Sequence, residues 1–573
     1  MAAARRRLCR TEGWLIMNAA DNSNIVKTEE DVWHFHGGIK LPGHKQMSTQ
    51  TPIARVPASK RYVIPLNQHK GAEGEIIVAT GDRVLKGQML ARPHGLISAA
   101  IHAPVSGTVI EIAEHRFPHP SALPGLCIVI ENDFQSEWIE RKPVAGDYIN
   151  MSSHDLRTII RDAGIVGLGG ASFPTAVKQT EVGIDTLILN GVECEPYISC
   201  DDMLMRERAD EIIKGLQIIA HIIRAKTCVV AIEDNKPEAI TAVTSAVKHS
   251  GSSTIKVQRV STIYPSGGER QLIKVITGKE VPVNGLPSDI HVLCHHVATS
   301  YAIYKAVFEA EPLISRIVTV TGRGVQSPQN LEVDIGTAIQ DCIEFCGGYK
   351  KEAQSLIMGG PMMGLTLDTD QLPVIKSTNC LLVSAGIDIT LPSSENHMPC
   401  IRCGKCVDVC PANLLPQQLY WFSGSKHYDR AIEYNLFDCI ECGCCAYVCP
   451  SQIPLVQYYR HAKSDIWEQE RERKKSDIAR ERHERRLERL EKQKQEREAR
   501  LKKKREALSK NKHSRDTEME KKKALIADAL ARVKKKRSKQ NIKLRNTENL
   551  TAEQQQKIKE ADARREQMKQ QGK

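Results

Sequence analysis

Short runs of Val and Ile, punctuated by Gly and Pro, mark the first third of the chain. YVIPL, EIIVAT, GTVIEIA and CIVIEN read as strands between about residues 33 and 135. From about 150 the period changes. HDLRTIIRDAG and DEIIKGLQIIAHIIRAK carry apolar residues at helical spacing, and TLILN and CVVAIED are short buried strands between helices. Alternation of this kind over 150–310 predicts an α/β domain. RIVTVTG followed by GTAIQDCIEFCGG predicts a small α+β module over 315–370. Residues 371–460 hold cysteine runs separated by two helical stretches, LLPQQLYWFS and YDRAIEYN. After Ser464 no Pro occurs, and no Gly until Gly572, so 461–573 reads as a long charged helix, a weak coiled coil or disorder. Residues 1–32 read as disordered.

Charge sharpens this division. Residues 461–573 hold 38 Lys+Arg against 21 Asp+Glu, whereas the body before them holds 43 against 48. The basic character therefore belongs to the tail. With Trp467 as its one aromatic, the tail offers bases nothing to stack on, so nucleic-acid binding is not expected. Such a charge run reads first as a solvated helix with no specific partner; next, the KKKR clusters at 502–505 and 534–537 suit an anionic lipid surface or acidic partner subunits. No apolar run reaches the length of a membrane span, and the N-terminus lacks a secretory apolar region.

Nine of the 18 cysteines fall between Cys400 and Cys449. They form Cys400-x2-Cys403-x2-Cys406-x3-Cys410-Pro411 and Cys439-x2-Cys442-x2-Cys445-x3-Cys449-Pro450. Three thiolates at this spacing wrap one iron–sulfur cubane, and the fourth, one helical turn on, serves the other cluster. Tetrahedral zinc also uses C-x2-C pairs but has no use for the third cysteine and the C-P ending, twice over. The spacing thus assigns Cys400, Cys403, Cys406 and Cys449 to one [4Fe–4S] cluster, and Cys439, Cys442, Cys445 and Cys410 to a second. Cys444 is out of register and reads as a spare thiol. Two such clusters relay single electrons and need a donor and an acceptor elsewhere.

A glycine loop, Gly164-Ile-Val-Gly167-Leu-Gly169-Gly170, precedes Lys178. Taken alone it is a phosphate-approach loop or a plain tight turn. Downstream come Asn190-Gly-Val-Glu193-Cys194-Glu195-Pro196, Tyr264-Pro-Ser-Gly267-Gly268-Glu269-Arg270 and His295-His296-Val-Ala-Thr299. In this order the pieces resemble the NADH- and FMN-binding flavoprotein subunit of respiratory complex I. Together with the two cysteine runs, the region from about Val32 to Pro454 resembles the RnfC family, the C subunits of ion-translocating (Rnf-type) electron transport complexes.

That resemblance implies a multidomain α/β and α+β protein. Its parts are a barrel-sandwich module (33–135), an α/β flavin/nucleotide domain (150–310), a β-grasp module (315–370), a mostly helical two-cluster ferredoxin domain (371–460) and the tail (461–573). It implies that Gly167, Gly169, Gly170 and Lys178 hold the FMN phosphate and ring edge. Asn190 then contacts the flavin, Glu193 and Glu195 line the flavin–nicotinamide space, Gly267 and Glu269 lie near the nucleotide, and Thr299 lies near the phosphate. Leu168, Val192, His295 and His296 depart from the complex I pattern, and they bear on NADH more than on flavin. The segment GDRVLKGQ…APVSGTV resembles a lipoyl-type module, but Ile97-Ser98-Ala99-Ala100 stands where a modifiable lysine would, so a scaffold without a covalent cofactor is expected.

The function implied is that of a peripheral subunit on the cytoplasmic face of a bacterial inner membrane. It would pass electrons from NADH through FMN and two clusters to partner subunits, with ferredoxin as the other redox partner and cation transport coupled to the flow. The alternative is an electron-transfer and assembly module with a vestigial flavin site.

Overall fold

The computed structural model describes residues 32–179, 183–386, 397–510, 518–537 and 550–571. The expected disorder of 1–32 concerns residues that lie, but for Val32, outside this set. Two compact units are present, Met1–Glu468 and Gln469–Lys573.

In the first unit, the α/β domain is built on four parallel strands in the order Ile255–Val260, Thr227–Glu233, Thr186–Gly191, Val292–His296. Leu187, Ile188, Leu189, Val230 and Ile232 are buried on both faces, as a parallel sheet under two helix layers requires. Ala209–Ile223 is apolar along one whole side and packs on Val297–Phe308. Its tightest approach is at Gly215, where a Cβ would lie 1.9 Å from the Ser300 carbonyl oxygen. Ser152 caps Ser153–Asp162 by accepting from the Asp155 amide at 3.1 Å. From the strand Thr186–Gly191 the chain winds one way to Ile255–Val260 and then returns to the other side as Val292–His296. The strand order therefore reverses beside Asn190 and His296, and ligands of open α/β sheets settle at such a switch point.

A small β-sandwich precedes this domain. Arg61–Pro65, Gly125–Asn132, Gly107–His115 and Arg83–Val84 form one sheet; Glu75–Ile76, Met89–Arg92 and Ile101–His102 form the other. EIIVAT, read as a full strand, is a strand for only two residues. Residues 33–56 lie apart from these sheets and run as a strap over the other domains. The Trp33 amide bonds to the Val275 carbonyl at 2.9 Å, Gly38 to Val409 at 3.0 Å, and Ile39 pairs with Tyr264. Lys45 donates to the carbonyls of Glu195 (3.0 Å) and Ile198 (2.6 Å). Gly37, at φ +72°, sits where a Cβ would meet the Val409 backbone at 2.6 Å, so only glycine fits.

The β-grasp sheet has six strands, and the strap supplies one edge as Ala54–Arg55, parallel to Gln329–Asp334. Cys380–Ser384 is inserted between Ser315–Thr321 and Ser355–Met358. This corrects the boundary expected at 370/371. CLLVS is buried throughout, as a central strand must be: Leu381 and Val383 face the β-grasp core, and Cys380 packs on the other side against Tyr197, Ile198 and Cys200.

The cysteine domain is helical as expected. Pro416–Gly424 and Tyr428–Glu433 separate the motifs, and Leu455, Tyr459, Ala462 and Ile466, from the start of the helix Leu455–Lys510, complete its core. In the second unit, the tail is helical over Glu518–Arg537, Ala552–Gln571 and the remainder of Leu455–Lys510. No described helix is long and apolar enough to cross a membrane.

Candidate redox site

The two motifs repeat one backbone. Arg402 (φ +57°) and Gly404 (+84°) in the first match Glu441 (+59°) and Gly443 (+80°) in the second. Two left-handed residues coil each loop so that its three thiols converge. A short helix follows, Lys405–Asp408 or Cys444–Tyr447, and carries the fourth cysteine across. Cys400, Cys403, Cys406 and Cys449 line one cavity. Cys439, Cys442, Cys445 and Cys410 line the other. Each cavity thus takes three cysteines from one motif and one from the other, which is the donor set a cubane requires. Cys444 lines neither. Fully buried, it turns toward the α/β domain, its sulfur 4.0 Å from the Tyr264 carbonyl oxygen.

The cavities differ in setting. Cys410, Cys442 and Cys445 are buried, and the Tyr264 hydroxyl donates to the Cys442 carbonyl at 2.7 Å. Tyr264, Met362, Cys442 and Cys444 form one apolar contact that also includes Cys194 from the α/β domain. Lys463, 6% exposed, bridges the Cys439 carbonyl (2.7 Å) and the Glu441 carboxylate (2.8 Å). The first cavity faces outward, and Cys403 is exposed.

At the switch point, the glycine loop closes on itself through Gly167 N to Phe173 O (2.8 Å) and lies on the first turn of Val297–Phe308, where the Leu168 amide bonds to Thr299 Oγ1 at 2.9 Å. A Cβ on Gly169 would strike the His296 ring at 2.8 Å, whereas Gly170, at φ +121°, faces open space. Asn190 Nδ2 donates to the Gly267 carbonyl at 2.9 Å, and Gly267 packs on the Val192 carbonyl and Cys194. His296 Nε2 lies 2.9 Å from Asp201, whose amide donates to Glu193 Oε1 at 2.8 Å. These contacts bring Gly167, Gly169, Asn190, Glu193, Gly267 and Thr299 to one place.

Three expected residues already have side-chain partners within the protein. Glu195 accepts from the Met362 (2.7 Å) and Met363 (3.1 Å) amides of the β-grasp turn, and Lys178 pairs with Glu269 at 2.6 Å.

Burial pushes Glu193 up to about 8, against the pull of Lys45. Burial, aided by Lys178, lowers His295 to about 3, which leaves a neutral ring whose Nε2 has no partner among the described residues. Burial would raise Asp201 as well, but His296 and Arg316 outweigh it and hold the carboxyl low. An open glycine cradle, a helix N-terminus and the unpartnered ring nitrogen of His295 fit a flavin phosphate and ring.

Sequence reading missed Lys376. It is buried, is lowered to about 7 by burial, and donates to Ala100 O and Gly164 O, both at 2.7 Å, so that it ties the β-sandwich and β-grasp modules to the base of the glycine loop. It missed Asp201 too, although two aspartates inside the apolar run Cys200–Met205 are a signal for buried, paired carboxylates.

Comparison with known proteins agrees with this layout. Residues 33–135 match the RnfC barrel sandwich hybrid domain, 160–305 the Nuo51 FMN-binding domain, 317–366 the SLBB domain and 399–453 the 4Fe-4S dicluster domain. The chain thus carries an FMN-binding domain and a two-cluster iron–sulfur domain. The C subunit of the ion-translocating oxidoreductase complex of Pseudomonas aeruginosa PAO1 is 49% identical over 455 residues, 79% of this chain and 58% of that protein. That of Serratia proteamaculans 568 is 46% identical over 477 residues, 83% of this chain and 67% of that protein. The chain therefore spans about three-fifths to two-thirds of their lengths. Among solved structures, an NAD+-reducing [NiFe]-hydrogenase in the H2-reduced state aligns at 17% identity over 62% of this chain and 67% of its own, with a TM-score of 0.40, a likeness too loose to argue from.

Proposed function

The chain belongs to the family of C subunits of ion-translocating oxidoreductase complexes, and from that premise we propose that it takes electrons from NADH and delivers them to partner subunits as single electrons. FMN supplies the conversion between two-electron and one-electron chemistry, and two [4Fe–4S] clusters carry the electrons onward. Gly167, Gly169, Gly170 and Thr299 hold the flavin phosphate side, Asn190 and Gly267 its ring side, and Glu193 stands by as a buried, protonated carboxyl. Glu195 braces the β-grasp turn beneath. Cys439, Cys442, Cys445 and Cys410 hold the inner cluster; Cys400, Cys403, Cys406 and Cys449 hold the outer one.

The observation that carries this reading is the order of burial. One four-cysteine cavity abuts the flavin domain through Tyr264 and Cys442, and the other opens at the surface. A wire with an inner and an outer end follows. We place the protein peripherally on the cytoplasmic face of the inner membrane, with the KKKR clusters of the tail toward anionic lipid, and the complete complex moving cations.

The Lys178–Glu269 pair favours a second reading. A lysine engaged with a carboxylate is withheld from a phosphate, as in an assembly module that has lost its flavin. Anaerobic purification decides between the two. About eight irons, one flavin and bleaching by NADH support electron input; iron–sulfur absorbance with neither flavin nor NADH response supports the assembly module.

A further inference from the structure

The outer cavity is surrounded by features that neither packing nor cluster ligation uses. Of the eight cysteines that line the two cavities, Cys403 alone is exposed. Ile401 (67% exposed) and Trp421 (50%) line the same cavity, and Met398 (65%) is hydrogen-bonded through its amide to Ser451 on the cavity wall. Large apolar side chains gathered and left in water at one spot mark a surface built to be covered.

Charge says what covers it. Among the described residues Arg402 is the one charged residue lining the cavity, and on the next helix Lys405 is exposed at the start and Asp408 at the end. Neither cation makes an ion pair among the described residues, although the body carries more carboxylates than cations. At the matching position in the inner motif, Glu441 is fully engaged by Lys463 and Arg460.

We propose that Arg402 and Lys405, around the apolar centre of Ile401 and Trp421, form the docking face for a redox protein whose own face sets carboxylates around an apolar patch. The proposal rests on the reading that the outer cavity holds a cluster from which electrons leave. Transient electron-transfer contacts are small, so a few rim charges govern the encounter rate, while a small apolar centre brings the two redox groups close.

The test uses the full-length chain with both clusters, reduced by dithionite and mixed by stopped flow with three oxidised probes. These are an acidic two-cluster ferredoxin, basic cytochrome c and a small uncharged quinone. The ferredoxin rate is expected to fall as NaCl rises, and Arg402→Glu with Lys405→Glu to slow it roughly tenfold or more at low salt. Arg402→Gln with Lys405→Gln should fall between, Trp421→Ala should slow ferredoxin at high salt also, and in every variant the loss with ferredoxin should exceed any change in the quinone rate, which reports on the cluster itself. An unchanged ferredoxin rate and salt slope in the double charge reversal overturns the proposal. So does a native salt dependence that favours cytochrome c in place of ferredoxin. Failure of the unmodified chain to reduce the quinone, with no cluster signal by electron paramagnetic resonance, overturns the underlying cluster reading instead, and the two failures are told apart by that signal.

Discussion

The two cysteine motifs share spacing, backbone dihedrals and a crossing fourth ligand, yet they have opposite surroundings. One has three of its four thiols buried, is closed over by Tyr459 and is seated on the α/β domain. The other holds an exposed thiol among exposed apolar side chains. The second of the two residues between the first two cysteines of each loop states the difference most briefly. Glu441 is locked by Lys463 and Arg460, whereas Arg402 makes no ion pair among the described residues. An internal repeat has been kept for ligation and changed for position, which is how one cluster becomes the inner end of a wire and the other the outer.

The strongest way to break this comparison is to remove a crossing ligand. Cys410→Ser lies in the first motif by sequence but lines the inner cavity. It should lower iron from about eight to about four per chain and leave the outer cluster's resonance signal. If the outer signal disappears and the inner remains, the pairing across motifs is wrong. Next in size is the order of destruction. Under air or a chelator such as EDTA, the outer cluster should bleach several-fold sooner than the inner, because Cys403 is open to solvent; equal decay of the two signals would erase the distinction in burial.

Smaller effects sharpen the contrast. Lys463→Met removes a nearly buried ammonium that bridges a carbonyl and a carboxylate, and should cost about 1.5–3 kcal/mol in denaturant unfolding while shifting the inner cluster alone. Tyr264→Phe deletes a single donor to the Cys442 carbonyl and should cost about 1 kcal/mol, again with the outer signal unmoved.

The cysteine partition was legible because ligand spacing is a local property: the convergence of three thiols depends on seven residues and two left-handed turns. The helices Ser153–Asp162 and Ala209–Ile223 were legible for the same reason, through their period. What stayed hidden depends on distant partners. Cys380 begins a strand inserted between Ser315–Thr321 and Ser355–Met358, and nothing local marks CLLVS as the centre of that sheet. Nothing local shows that Lys178 and Glu269, 91 residues apart, meet in a 2.6 Å ion pair. Lys376 gives no sign in sequence that its ammonium ends on carbonyls of two other modules.

The strap over 33–56 has a consequence for how the molecule is made. A polypeptide leaves the ribosome from its N-terminus, so this stretch emerges early, yet the Val409 carbonyl that receives Gly38, and the strand that pairs with Ala54–Arg55, are synthesised much later. Domains generally fold as they appear, but this segment has to wait. Final closure around Gly37 and Gly38 is therefore tied to completion of the first cysteine motif, so that the earliest stretch to emerge is among the last to be sealed.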